Sequence, residues 1–298
     1  MGILDNVITK APSISAPTTP NVLSTKPLNA TPLKAVKPKM FSDEMIETEL
    51  FKKMNYKGKK VCMVLGEDGV GKTGLVLDYL AKKLKADKTA NVVYVDLDDG
   101  ASVLVDKFHK EVADQIRIIR PIQVTKTETK VEIAYKKTVD WISAIADYVD
   151  RNLEKKNIIA FVFDGLSTLL TFAERQMRIE KNINADGGVN TKFWLIRNKV
   201  FEEMMMTVKQ INCDSFFIGH TDFVLTESSA SIKIKTNAMM YQRIICKKEV
   251  LEGDGEYKLV GIVNKAKGSP LKENSKATFM QKKGDKFKFD TDKIFEGL

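Results

Sequence analysis

"VCMVLGEDGVGKTGLVLDYLAKKLK", Val61–Lys85, decides the fold. Its first five residues, Val61–Leu65, are apolar and read as a buried strand. The next eight, Gly66, Glu67, Asp68, Gly69, Val70, Gly71, Lys72 and Thr73, fit G-x-x-x-x-G-K-[ST] without departure. From Gly74 an amphipathic helical pattern runs to about Lys85. Glycines in such a turn let the backbone pass close to phosphate with its N–H groups turned inward. The helix that follows presents its positive end to the same anion. Lys72 is placed to reach the β- and γ-phosphates, and the Thr73 hydroxyl to ligate Mg²⁺. Residues Gly66 to Gly74 are therefore the expected cradle for a nucleoside triphosphate. No guanine-specific N/TKxD-type motif stands at a strand end, because "GHTDF" (Gly219–Phe223) holds that place. ATP with Mg²⁺ is the expected ligand pair.

Working outward, strands and helices alternate. "NVVYVDL" (Asn91–Leu97), "IRIIRPI" (Ile116–Ile122), "IIAFVF" (Ile158–Phe163) and "SFFIGH" (Ser215–His220) read as strands. Helices are expected over about Ala101–Ala113, over "TVDWISAIADYVDRNLEK", over "LSTLLTFAERQMRI" and over "KFWLIRNKVFEEMMMTVKQI". Such alternation predicts an α/β protein, a mainly parallel sheet with helices on both faces. After His220 the pattern changes to "SIKIKTN", "RIICKKEV", "YKLVGIVNKA" and "ATFMQ", which read as C-terminal antiparallel strands and hairpins.

Three strand ends carry groups suited to phosphate chemistry. Asp164 closes an apolar run and points toward the crevice where α/β sheets bind ligands, so it is the expected metal-side acid beside Thr73. "VDLDD" places Asp96, Asp98 and Asp99 at one strand end. Alternation puts Asp96 and Asp98 on one side. Asp98 is the first choice to orient water or act as general base, with Asp96 second. His220 ends a core strand, where a polar group is placed to sense a γ-phosphate.

Charge and composition bound the rest. The chain has 298 residues and a net charge of +9. Residues 1–41 hold five lysines and one acid, and residues 231–298 hold fifteen basic and nine acidic residues. Basic ends suit an acidic partner such as nucleic acid. Six of the eight prolines fall in residues 8–40, so 1–41 reads as a flexible tail or a tether for a protein partner, and 42–298 as the folded core. No apolar run is long enough to span a bilayer. Cys62, Cys213 and Cys246 are scattered and odd in number, which fits a reducing cytoplasm better than a disulfide framework.

Taken together, the P-loop strand, the "VDLDD" strand, "FVFD" and a strand ending in a polar residue resemble the RecA-like ATPase core. The short, core-only RecA-like ATPases of phages and viruses offer the nearest pattern. The resemblance spans about residues 55–285. It implies an ATPase acting on single-stranded DNA as an oligomer in recombination or annealing. It also implies catalytic roles for Asp98 and His220. "GIVNKAKGSPLK" is similar to a late strand in which two lysines reach the neighbouring subunit's nucleotide, here Lys265 and Lys267, although Pro270 sits one residue off that register. DNA-binding loops would fall at about 171–191, with Arg175, Arg178 and Lys181, and at 222–240, with Lys233 and Lys235; Phe172 or Phe223 would stack on bases. Two other readings stay open: a ring helicase or packaging motor of the same fold, and a nucleotide-dependent switch that recruits a partner.

Overall fold

The computed structural model describes residues 42, 58–126, 131–184, 186–221, 239–252, 255–267 and 272–296. The chain divides after Asn55, and everything below concerns the part that begins at Tyr56. The expected tail, the helix that the spacing of "DEMIETELFKKM" (43–54) predicts, and the strand "SIKIKTN" lie outside the described residues.

Among the described residues there are eleven strands and six α-helices. They are β1 Val61–Gly66, α1 Lys72–Ala86, β2 Asn91–Asp96, α2 Ala101–Phe108, β3 Ile116–Ile119, β4 Val124–Lys126 and β5 Val131–Ile133. Next come α3 Tyr135–Asn152, β6 Ile158–Asp164, α4 Leu166–Glu180, α5 Thr191–Gln210 and β7 Asp214–His220. The chain ends with β8 Gln242–Val250, β9 Tyr257–Ala266, β10 Lys276–Lys283, β11 Lys286–Phe289 and α6 Asp292–Phe295.

Nine strands form one sheet in the order β11-β10-β9-β8-β1-β7-β6-β2-β3. From β8 to β3 every pairing is parallel. The pairings among β8, β9, β10 and β11 are antiparallel. This is the expected mixed α/β class, a mainly parallel sheet with C-terminal antiparallel strands. β1 is buried along its whole length because both its faces are covered, which is why its sequence is a continuous apolar run. Val61, Met63 and Leu65 join one core with Ile142, Leu169, Phe201 and Val208 of α3, α4 and α5. Cys62 and Val64 join the other, with Leu75 and Leu80 of α1 and Val105 of α2. Of the run Met204–Met206, whose place on a helix predicts packing, Met204 and Met205 join the first core and Met206 is exposed.

The antiparallel strands do more than extend the sheet. Leu259, Phe279 and Met280 pack in the α1 core together with Phe295 of α6, whose ring lies 4.4 Å from that of Tyr79. Phe287 and Phe289 of β11 reach Phe108 at the end of α2. The last strands therefore fold back beside α1 and meet the helix that follows β2. Several elements depart from expectation. α2 stops at Phe108, and Lys110–Gln115 is a tighter 3₁₀ turn rather than more helix. β3 ends at Ile119, ahead of Pro121, which has no N–H for a ladder. The two-stranded ribbon β4–β5 was not anticipated. Its β4 residues are exposed and lack the alternation that marks a half-buried strand.

Candidate functional site

β1, β7, β6 and β2 are neighbours in the sheet, so the loop after β1 and the ends of the other three strands converge on one edge. There they line a cavity of about 510 Å³ that includes Gly69, Lys72, Thr73, Asp98, Asp164 and His220. A separate groove of about 670 Å³ beside β3 and α3 contains none of these residues.

The loop has the backbone its glycines allow. Gly69 and Gly71 have φ of +71° and +78°, the left-handed region that side-chain-bearing residues avoid. Gly71 is also pressed from outside: a Cβ there would lie 2.4 Å from Leu259 Cδ1. The Lys72 ammonium donates to Gly66 O at 3.1 Å and to Glu67 O at 2.7 Å, folded across the mouth of its own loop. Val70 points the other way and is buried.

Asp164 is 3% exposed, and one oxygen, Oδ2, accepts two hydroxyl bonds. Thr73 Oγ1 donates at 2.8 Å and Tyr94 Oη at 2.6 Å. Burial pushes the Asp164 carboxyl up to about 6; the two hydroxyl bonds act against that rise, and the nearby Asp98 and Asp96 add to it. Burial, and then the Asp164 charge, hold the Tyr94 hydroxyl well above its ordinary range, so Tyr94 stays a donor. Tyr94 escaped the sequence reading. Its signal was there: a tyrosine inside an apolar strand needs a partner for its hydroxyl.

The acids of "VDLDD" separate into different roles. The strand ends at Asp96, so the alternation that would pair Asp96 with Asp98 does not continue. Asp96 is buried and accepts from Asp98 N at 3.2 Å and Ala101 N at 2.9 Å, which ties down the start of α2. Unlike Asp98, it does not line the cavity. Asp98 faces the cavity, and its Oδ1 accepts from Thr168 Oγ1 at 2.6 Å. Asp99 turns outward to pair with Arg120.

His220 closes β7, hydrogen-bonded in register beside Gly66. Its Nδ1 lies 3.2 Å from Asp68 Oδ1, and its backbone N–H donates to Ser167 Oγ. Lys265 and Lys267 are not in the cavity. Lys265 pairs in register with Arg243 near the start of β8, and Lys267 N–H donates to Tyr241 O. That end of the sheet is opposite the P-loop. There the Lys265 ammonium is held below its ordinary range, first by burial and then by Lys267, Arg243 and Lys209.

The first half of the expected loop at 171–191 is helix, since α4 runs to Glu180. Arg178 donates to Glu174, Asn184 O and Gly187 O, so it clamps the turn after α4 rather than reaching outward. Phe172 is 6% exposed and packs edge-on to Tyr135, which excludes it from base stacking. Lys233, Lys235 and Phe223 lie outside the described residues. All three cysteines are free and buried, and burial raises each thiol out of the reactive range. Among the described residues no helix is long and apolar enough to cross a membrane.

The donor set around Thr73 fits a hard cation. It offers a hydroxyl and a desolvated carboxylate, both oxygen. Among the described residues no group of three or more His, Cys, Asp or Glu is arranged to hold a metal alone. Mg²⁺ matches such a site because it takes one or two carboxylates and completes its shell with water and phosphate oxygens.

No family model matches the chain, and no curated protein does. Among solved structures it is similar to a KaiC-like protein from the hyperthermophilic archaeon Pyrococcus horikoshii OT3. That similarity has a TM-score of 0.44 at 13% identity, over 78% of this chain and 89% of the other.

Proposed function

We propose that the chain is a RecA-like, Mg²⁺-dependent ATPase that acts on single-stranded DNA as an oligomer. What supports hydrolysis is the 2.8 Å bond between Thr73 Oγ1 and Asp164 Oδ2 at the mouth of a complete P-loop. In this reading the loop amides and Lys72 hold the β- and γ-phosphates. Thr73 and Asp164 hold Mg²⁺ through oxygen, which supplies charge neutralisation at the phosphates. Asp98, steadied by Thr168, orients water for attack on the γ-phosphorus and accepts its proton. His220 exchanges its contact with Asp68 for one that depends on the γ-phosphate.

Asp98→Asn keeps the shape and removes the base. It is expected to lower the turnover number about 10²-fold with nucleotide affinity retained. Steady-state kinetics beside equilibrium nucleotide binding checks this, and an unchanged turnover number removes Asp98 from the mechanism.

The DNA and oligomer parts rest on charge. Lys209, Arg243, Lys265 and Lys267 gather at the sheet end opposite the P-loop, where a second subunit's nucleotide or a phosphate backbone would meet them. Turnover should rise with single-stranded DNA, and binding should weaken steeply with salt. Mixing tests the shared site. Lys72→Ala subunits keep Lys265 and Lys267, and Lys265→Ala/Lys267→Ala subunits keep a working P-loop. Mixed oligomers are expected to regain activity that neither variant has alone. Absence of recovery, with both variants folded and oligomeric, argues against an intersubunit role.

A further inference from the structure

The nucleotide cavity has two chemically different ends. One holds Lys72, Thr73, Asp98, Asp164 and His220. The other is walled by Phe108, Tyr257, Phe287 and Phe289, which the hydrolysis scheme leaves unused. Phe287 and Phe289 stand two residues apart on β11 and so share a face. The ring of Phe108 lies 5.6 Å from each of them, edge-on in both cases. A ring that only fills the core is closed on all sides, as Phe216 is at 0% exposure. Phe108, Phe287 and Phe289 are only half-buried and keep surface open to the cavity. Lys107 adds a cation at the same wall, 5.3 Å from the ring centre of Phe108 and 6.0 Å from that of Phe287.

We propose that this aromatic end is the nucleobase subsite, in which Phe108, Phe287 and Phe289 stack against a purine. The proposal rests on the P-loop reading, because a triphosphate seated in the loop keeps its base within the same cavity. Stacking uses the π-face that every base has, and the larger purine ring gains more from it than a pyrimidine. The carboxylates lining the cavity, Asp68, Asp98 and Asp164, all belong to the phosphate end. Guanine's N1–H and amino donors therefore meet no acidic acceptor at the aromatic end among the described residues. The subsite separates purine from pyrimidine more sharply than adenine from guanine.

The test is calorimetric titration of the full chain with ATP, CTP and inorganic tripolyphosphate, each with Mg²⁺. Wild type, Phe289→Ala, Phe289→Leu and Lys72→Ala are compared. Wild type is expected to bind ATP more tightly than CTP, and CTP more tightly than tripolyphosphate. Phe289→Ala should weaken ATP about tenfold and leave tripolyphosphate unchanged. Phe289→Leu keeps apolar bulk in β11 but loses the ring, so it should weaken ATP in the same direction with its melting temperature preserved. ATP affinity that survives both Phe289 substitutions overturns the subsite while the P-loop reading stands. Equal loss for ATP and tripolyphosphate marks a structural effect and also overturns it. Tripolyphosphate affinity that is absent in wild type, or indifferent to Lys72→Ala, removes the P-loop reading and the subsite together.

Discussion

Replacing Lys72 by alanine is expected to lower ATP hydrolysis by about 10²–10³-fold while the melting temperature barely moves. The two halves of that result have separate causes. In the structure the ammonium rests on the carbonyl oxygens of Gly66 and Glu67, at 3.1 and 2.7 Å. The bond to Glu67 O is exposed and that to Gly66 O is only partly buried, so water takes the place of the lysine and little folding energy is lost. Gly66 O also keeps its bond from Thr221 N. In the proposed function the ammonium moves to the β- and γ-phosphates of the bound triphosphate, where charge grows during transfer and no other cation of the loop can replace it. A coupled phosphate-release assay, run beside thermal denaturation, checks both halves. Hydrolysis that persists in a folded Lys72→Ala protein removes the P-loop from the reaction.

Gly165→Ala is expected to cost about 3 kcal/mol of stability and to lower turnover as Asp98→Asn does. Gly165 has φ +105° and ψ 42°, outside the conformations an alanine adopts without strain. A Cβ at this position would also lie 2.6 Å from Leu97 Cβ and 2.9 Å from Asp98 Oδ1. Leu97 is fixed by its N–H to Asp164 O, so the backbone cannot retreat without disturbing the metal-side acid. Asp98 is the softer neighbour and moves, breaking its bond from Thr168. Urea denaturation measures the first effect, and the turnover number at saturating ATP measures the second. An unchanged denaturation midpoint contradicts the packing argument.

The sheet was legible in the sequence where burial is two-sided. β1, β2, β6 and β7 are short apolar runs ending in Gly or a polar group, and each was found within a residue or two. Asp164 closes its apolar run and Asp98 follows two residues after the end of β2, and the structure brings both to the cavity. Asp96 does not share a side with Asp98, because the strand ends at Asp96 and its alternation does not extend two residues further; Asp98 N–H and Ala101 N–H turn back onto the Asp96 carboxylate instead. The aromatic wall depends on contacts between distant segments, which no local pattern reports; for Tyr94 the strand shows that the hydroxyl needs a partner, but not that the partner is Asp164. "KFKF" (Lys286–Phe289) does alternate, but four residues of it look like any charged surface until Phe108 is brought against them.

The placement of β1 bears on how the protein acquires its site. The P-loop strand is an inner strand whose two partners, β7 and β8, begin at Asp214 and Gln242. Its ladder therefore closes only across chain separations of about 150 residues or more, at a loop-closure cost that local helices do not meet. High contact order of this kind makes for slow assembly. The loop's own residues are contiguous, but the pocket they line takes its other walls from Asp164, His220 and β9 to β11, so it is complete only when those distant segments have docked. On the proposed function, nucleotide binding reports a completed sheet rather than a preformed local module.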